Sequence, residues 1–313
     1  PHGEATDSVT IEVVNAEDLD LIYEFDATEY HVVEGRTLLI RPSQINKSEG
    51  VTYVWVLDGQ EQGSNSNRAH FLFNSTEIGQ HTLEVKASTY INTPIEVRHT
   101  FTIEVIKEGL HRRVRTAASA SVFSEVVEYM PAPGQFIGDM KTGGFTGQEL
   151  TSEDARVYAE GRLRQNNWVS LGAFGGYIVV GFDHSVENIS GADIAITGNS
   201  FDGSSEPGVV WVMQDENGNG LADDTWYELR GSETGKGTTY QDYEVTYYRP
   251  TASGMPVGWT DNKGGSGTID YLAAFHNQPS YYPTWITTDS YTLRGTRLEA
   301  RNYDASGNGS MWI

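Results

Sequence analysis

Residues 215–226 read Asp-Glu-Asn-Gly-Asn-Gly-Leu-Ala-Asp-Asp-Thr-Trp, with side-chain oxygens at the first, third, fifth and ninth positions and glycine at the sixth. A hard cation such as calcium collects about six to eight oxygen ligands, and an alternation of this kind turns every second side chain inward. Asp215, Asn217, Asn219 and Asp223 supply side-chain oxygens, Leu221 a backbone carbonyl, and Gly220 permits the sharp turn. An EF-hand places a bidentate glutamate at the twelfth position, where Trp226 stands here. The pattern therefore predicts a calcium loop between strands, not between helices. Asp224, Glu228 or a carboxylate from elsewhere, such as Glu206, is expected to complete the shell. The alternative is an Asn/Gly-rich hairpin turn that binds nothing.

A second candidate lies downstream. Trp259-Thr-Asp-Asn-Lys-Gly-Gly and Phe275-His-Asn-Gln-Pro-Ser-Tyr-Tyr-Pro-Thr-Trp285 hold the densest aromatic clustering outside strand-like segments. Tyr281, Tyr282 and Trp285, with Trp259, could stack on a sugar ring or a flat macrocycle. Asn262, His276, Asn277 and Gln278 offer hydrogen bonds beside them. Equally, proline-flanked aromatics could pin a long loop to the fold. Asp183, Asp193, Asn199 and Glu206 make a weaker oxygen-rich set, readable also as turn and edge residues. Gly175-Gly176 is not followed by lysine or a helix start, so it reads as a bend in a strand and not as a phosphate loop.

Catalytic signatures are missing from the string: there is no Gly-x-Ser-x-Gly and no His-Glu-x-x-His. A glycosidase needs only two facing carboxylates, so a carbohydrate-active hydrolase stays open as an alternative. The 313 residues carry a formal charge of −22, which argues against nucleic acid and against anionic lipid as partners. Cysteine is absent, so no disulfide, thiol nucleophile or cysteine zinc site is available. Loop-rich secreted eukaryotic domains usually carry disulfides, and their lack leans towards a bacterial surface protein. The basic run His111-Arg-Arg-Val-Arg115 could suggest a polyanion site, but in a chain this acidic it reads as a linker or edge strand pairing with neighbouring carboxylates. No apolar run is long enough to span a membrane. Pro1-His-Gly-Glu opens without a basic or apolar region, so the chain is expected to be a mature or truncated piece.

With 34 glycines, 17 tyrosines and few helical periodicities, the elements that must position these residues are strands. Asp7-Ser-Val-Thr-Ile-Glu-Val-Val14 echoes His99-Thr-Phe-Thr-Ile-Glu-Val-Ile106, which predicts that residues 1–18 end a preceding module and 19–107 form a complete small sandwich. Trp55, central in the alternating Val51–Leu57, is assigned to that sandwich's core. Residues 108–127 are expected to be a linker, and 128–313 a larger domain. One helix is predicted in it, over Ala155–Arg164, behind the capping box Thr151-Ser-Glu-Asp154. Its remaining strand-like runs, with glycine turns between them, suggest a two-sheet jelly roll. The fold class is thus all-β: an immunoglobulin-like sandwich followed by a larger jelly-roll sandwich with one short helix.

Tyr53-Val-Trp-Val-Leu-Asp-Gly59 and Gly79-Gln-His-Thr-Leu-Glu-Val85 resemble the aromatic strand and the Gly-x-Tyr-Thr-Val strand of PKD-type domains, without their doubled Gly-Asp-Gly. That likeness implies a spacer without chemistry of its own. Residues 128–313 resemble a family of bacterial cell-surface proteins with a jelly-roll module. The likeness rests on Gly175-Gly-Tyr177, Asp193-Ile-Ala-Ile-Thr-Gly-Asn199, Glu206-Pro207 and Trp226-Tyr-Glu-Leu229 in order. It implies outer-surface display, as in lipoproteins of gut Gram-negative anaerobes, and capture of an extracellular ligand. Relatives that accompany glycan or corrinoid uptake supply two candidate ligands, and a surface-protein complex is a further possible partner. A purely structural adhesin or stalk segment is the remaining alternative.

Overall fold

The computed structural model describes residues 21–47, 50–63, 67–89, 95–199, 206–276, 278–299 and 311–312. The chain forms two units, one of Pro1–His111 with Met213–Trp226, the other of Arg112–Val212 with Tyr227–Ile313. The expected terminal strand over residues 1–18 lies outside the described residues.

The first unit is a sandwich of strands whose residues alternate between core and surface. They are β1 (Tyr23–Glu24), β2 (Glu29–Val33), β3 (Thr37–Ile40), β4 (Gln44–Ile45), β5 (Val51–Leu57), β6 (Gln60–Glu61), β7 (Phe71–Asn74), β8 (Gly79–Thr89) and β9 (Glu96–Ile106). One sheet has the order β2-β9-β8-β5-β6, with β2 parallel to β9, while β3-β7 and β1-β4 form separate antiparallel ladders. Alternation explains the assembly, because β8 reads half-buried, exposed, buried, exposed along its length and so turns one face inward. Trp55 is fully buried, as its sequence position predicts; it packs against Phe71 and Phe101 and donates its Nε1–H to the Arg68 carbonyl at 2.9 Å. Asp58 and Gly59, both with positive φ, make the tight turn into β6. Asp58 also accepts the Thr82 N–H at 2.8 Å and meets His81 Nδ1 at 2.7 Å, which fixes the turn to β8.

The second unit begins with β10 (Glu125–Met130), whose start lies inside the segment expected to be linker. Helix α1 (Ser152–Arg164) follows, with Thr151 as N-cap and a reciprocal bond to Asp154 completing the capping box. Ala155 and Ala159 turn towards β10, and Arg156 Nη1 reaches the Val126 carbonyl at 2.8 Å. The later strands are β11 (Tyr177–Gly181), β12 (Ile196–Thr197), β13 (Trp211–Met213), β14 (Trp226–Glu228), β15 (Tyr240–Tyr248), β16 (Val257–Asp261), β17 (Ser266–Ile269), β18 (Ser290–Arg297) and β19 (Met311–Trp312). The largest sheet is antiparallel with the order β17-β16-β15-β18, and β10-β11, β12-β19 and β13-β14 are two-stranded. Two cores support them: Tyr243, Val245, Tyr247, Val257 and Leu293 under the large sheet, and Val126, Tyr129, Ile137, Phe145 and Trp285 against α1.

Among the described residues the protein is therefore all-β with one short helix. Among the described residues no helix is long and apolar enough to cross a membrane.

Candidate functional site

The acidic loop is held by the first unit. Asp224, whose side chain is fully enclosed, accepts the backbone N–H of Glu216 at 2.8 Å through Oδ2 and lies 3.5 Å from His31 Nδ1 through Oδ1. Thr225 adds a bond from its hydroxyl to the His31 carbonyl at 3.3 Å. These contacts explain why Met213–Trp226 groups with the first sandwich, a placement that needs contacts nearly two hundred residues apart along the chain and that no local signal carries. Glu216, fully buried, has neither carboxylate oxygen matched to a donor. Burial, with Asp224 beside it, pushes its carboxyl up to about 7. Burial likewise raises Asp224.

Within the loop the expected ligands are gathered by Asx-type bonds. Asn217 Oδ1 accepts Asn219 N–H at 2.8 Å, Asn219 Oδ1 accepts Leu221 N–H at 2.7 Å, and Asp215 Oδ2 accepts Gly220 N–H at 3.1 Å. Asp223 closes the ring, accepting Asn217 Nδ2–H at 3.2 Å and Asn219 Nδ2–H at 2.9 Å. Each carbonyl oxygen used in this way keeps a second lone pair. Asp215 Oδ1 is buried without a hydrogen-bond partner, the kind of orphan that a cation satisfies. The donor set thus suits a hard, oxygen-seeking ion. Asp224 serves as the brace that docks the loop, Glu206 is exposed on the second unit, and Glu228 accepts the Thr296 hydroxyl. Among the described residues no three His, Cys, Asp or Glu side chains converge as a metal site, so the loop depends on its asparagines and carbonyls.

The aromatic residues of the second unit are placed differently from the stacking expectation. Tyr281, Tyr282 and Trp285 are 1%, 2% and 7% exposed, so their rings belong to the core and give no open platform. Trp285 stacks with Phe145 at 6.0 Å, Tyr281 bridges the Leu272 N–H and the His276 carbonyl, and Tyr282 donates to the Thr288 carbonyl at 3.1 Å. The physical reason is size: the long 270–289 connection has no sheet of its own, and its largest rings are what fasten it down. Trp259 packs its ring across Gly267, where a Cβ would come within 2.9 Å of it. Asn262 ties β16 to β15 through the Glu244 N–H at 3.1 Å and the Asp242 carbonyl at 2.7 Å. Gln278 is buried and donates to the Gln135 and Ile137 carbonyls at 2.7 and 2.9 Å. His276 sits 3.4 Å from Asp139. Burial works against the Asp139 charge, but backbone N–H groups of residues 141–143 hold its carboxyl below the ordinary range. Asn277 lies outside the described residues.

The weaker sets are also accounted for. Asp183 accepts the Ala120 N–H at 2.9 Å and pairs with His184 at 2.6 Å, and Asp193 accepts the Ile189 N–H at 3.1 Å. In the basic run, Arg112 pairs with Glu187, and the Arg113 N–H donates to the Ser185 hydroxyl at 3.0 Å. Gly175 has φ of 83° in a turn, and a Cβ on Gly176 would lie 1.8 Å from the Leu171 carbonyl oxygen, so this pair is a close backbone approach leading into β11.

An open groove of about 340 Å³ does lie beside Tyr282. Its walls are Arg249 to Ser253 on one side and Pro279, Ser280 and Thr284 on the other, bridged where Ser253 donates to the Pro279 carbonyl at 3.1 Å. Arg249 lies 4.7 Å over the Tyr282 ring and donates to the Thr288 and Ile286 carbonyls. No Asp or Glu lines it. Sequence reasoning missed the Arg249–Ser253 wall because Arg249-Pro-Thr-Ala-Ser253 has the composition of an ordinary turn, whereas the opposite wall lies in the 275–285 stretch expected to bind.

No family model matches the chain, and no curated protein matches it by sequence. Among solved structures it is similar to the fibronectin(III)-like modules of CbhA from Clostridium thermocellum, at 18% identity over 28% of this chain and 98% of that one, with a TM-score of 0.21. It is similar to carbohydrate-binding modules of the β-sandwich superfamily, at 8% identity over 90% and 91% of the two chains, with a TM-score of 0.21. A third likeness is to SGBP-B of the Bacteroides ovatus mixed-linkage glucan utilization locus, in complex with a mixed-linkage heptasaccharide. There the identity is 12% over 88% and 70% of the chains, with a TM-score of 0.23. Scores this low carry no argument about this chain's fold or function.

Proposed function

We propose that the chain is a non-catalytic module that captures extracellular carbohydrate on its second unit, with a calcium ion steadying the 215–224 loop of the first. The observation that carries the binding reading is the groove of about 340 Å³, walled by hydroxyls, prolines and one guanidinium. Hydrogen-bonding groups beside small apolar surfaces suit a polyhydroxylated ligand. Glycosidic hydrolysis needs two carboxyl groups about 5–10 Å apart across the scissile bond, and this groove's walls contain neither. A corrinoid-like macrocycle asks for a broad aromatic floor, whereas Tyr282 is almost entirely covered. Carbohydrate is therefore favoured over corrinoid, and binding over hydrolysis.

In this reading the first sandwich is a spacer, resembling PKD-type domains, and the acidic composition suits display at a bacterial outer surface. Calcium would be held by Asp215, Asn217, Asn219, the Leu221 carbonyl and Asp223, supplying positive charge where Asp215 Oδ1 lacks a partner. A glycan array, followed by titration calorimetry with its best glycan and with a corrinoid, tests the reading. Saturable heat with a glycan, lost when Ala252→Trp fills the groove, is expected. Heat with the corrinoid alone would replace the ligand class, and silence in both would favour a stalk segment.

A further inference from the structure

The large sheet of the second unit has an outer face that the groove does not use. Its inner face is fixed by the buried Tyr243, Val245, Tyr247, Val257 and Leu293, so the residues between them point the other way. Register arranges these outward residues in rows. Ser290, Tyr248, Gly258 and Thr268 lie abreast across the four strands, and Thr292, Thr246, Thr260 and Ser266 form the next row. A third row holds Arg294 and Glu244, whose Nε and Oε1 are 3.1 Å apart.

Three features of this face point to one kind of occupant. Tyr248 is 44% exposed, yet its hydroxyl is 2.8 Å from Thr260 Oγ1, which holds the ring down across the neighbouring strand. An aromatic ring fixed in advance loses little freedom when it stacks on a ligand. Beside it Gly258 leaves the sheet surface bare: a Cβ there would have no atom within 4 Å, and its φ is not in the left-handed region. Finally, the two central rows carry no charge of their own; Asp270 at the sheet edge accepts the Thr268 hydroxyl at 2.8 Å, and Glu244 of the third row is matched by Arg294, in a chain of net charge −22. A protein partner would want an apolar centre of several side chains, which the rows of serine and threonine do not offer.

We infer that the outer face of the β17-β16-β15-β18 sheet is a second binding site, which takes a neutral, extended polysaccharide with one sugar seated over Gly258 against the Tyr248 ring. The inference rests on the carbohydrate reading for its ligand class, but uses none of the groove's residues. Strand spacing of about 4.8 Å repeats the hydroxyls across the sheet, so a chain lying across the strands meets them at a regular interval.

Affinity electrophoresis of the full chain tests it, in gels containing hydroxyethylcellulose, galactomannan or polygalacturonate. The native chain is expected to be slowed by a neutral polymer and not by polygalacturonate. Gly258→Val covers that bare position with a residue that suits a strand, and should weaken retardation about tenfold, as should Tyr248→Ala. Both should keep the melting temperature within a few degrees. Thr260→Val, which frees the Tyr248 ring without removing it, should give a smaller loss. Retardation that Gly258→Val leaves unchanged would overturn this site while sparing the carbohydrate reading. Retardation by polygalacturonate alone would overturn its neutral ligand class, and migration unaffected by any polymer would overturn both.

Discussion

Asp224 accepts the backbone N–H of Glu216 at 2.8 Å, and this bond sets two buried acids side by side at the base of the acidic loop. Burial first, and then Asp224, pushes the Glu216 carboxyl from 4.5 to about 7. In the folded chain Glu216 therefore keeps its proton in a range where the unfolded chain has released it. The associated stability is complete below about pH 4.5 and is lost as pH rises through 7. Glu216→Gln should consequently stabilise the protein at pH 8, by up to about 3 kcal/mol, and make little difference at pH 4. Urea unfolding of both proteins across that range, in EDTA, measures it. A gain that does not vary with pH would contradict the assignment.

The calcium proposal makes a separate demand on stability. An ion that binds only the folded loop at about a hundred times its Kd adds about 2.7 kcal/mol. EDTA should then lower the melting temperature by about 5–10 °C, and added calcium should restore it. Asp215→Ala should melt like the chelated protein and ignore calcium, because it deletes the orphaned Oδ1. A native chain whose melt is indifferent to EDTA would leave the loop as a hydrogen-bonded turn.

The aromatic connection yields a prediction opposite in kind to that of a binding platform. Trp285 and Tyr282 are core residues, so Trp285→Ala should cost about 3–5 kcal/mol and lower the melting temperature well before it alters any ligand affinity. Selective loss of binding with an unchanged melt would return these rings to the ligand site.

What could be read from the sequence follows the range of the forces involved. Alternation is local, so Val51–Leu57 and the core position of Trp55 are legible, as is the capping box at Thr151. The oxygen spacing around Gly220 is local too, and its side chains bond to backbone N–H groups within the same loop. Docking of the loop is not legible, because His31 lies almost two hundred residues from Asp224 and Thr225. The stretch Trp259-Thr-Asp-Asn reads as a loop, but Trp259 to Asp261 belong to β16, where pairing with β15 and β17 outweighs the turn-forming residues. The outer face escaped notice for the same reason: Tyr248, Gly258 and Thr268 are unremarkable in sequence until register aligns them.

The proposed function requires that carbohydrate be held and left intact. Calorimetry of the native chain, with the glycan that binds best and with reducing ends counted in the same cell afterwards, separates holding from cleavage. Saturable heat without new reducing ends is expected. Release of reducing sugar, or no heat with any glycan, would contradict it.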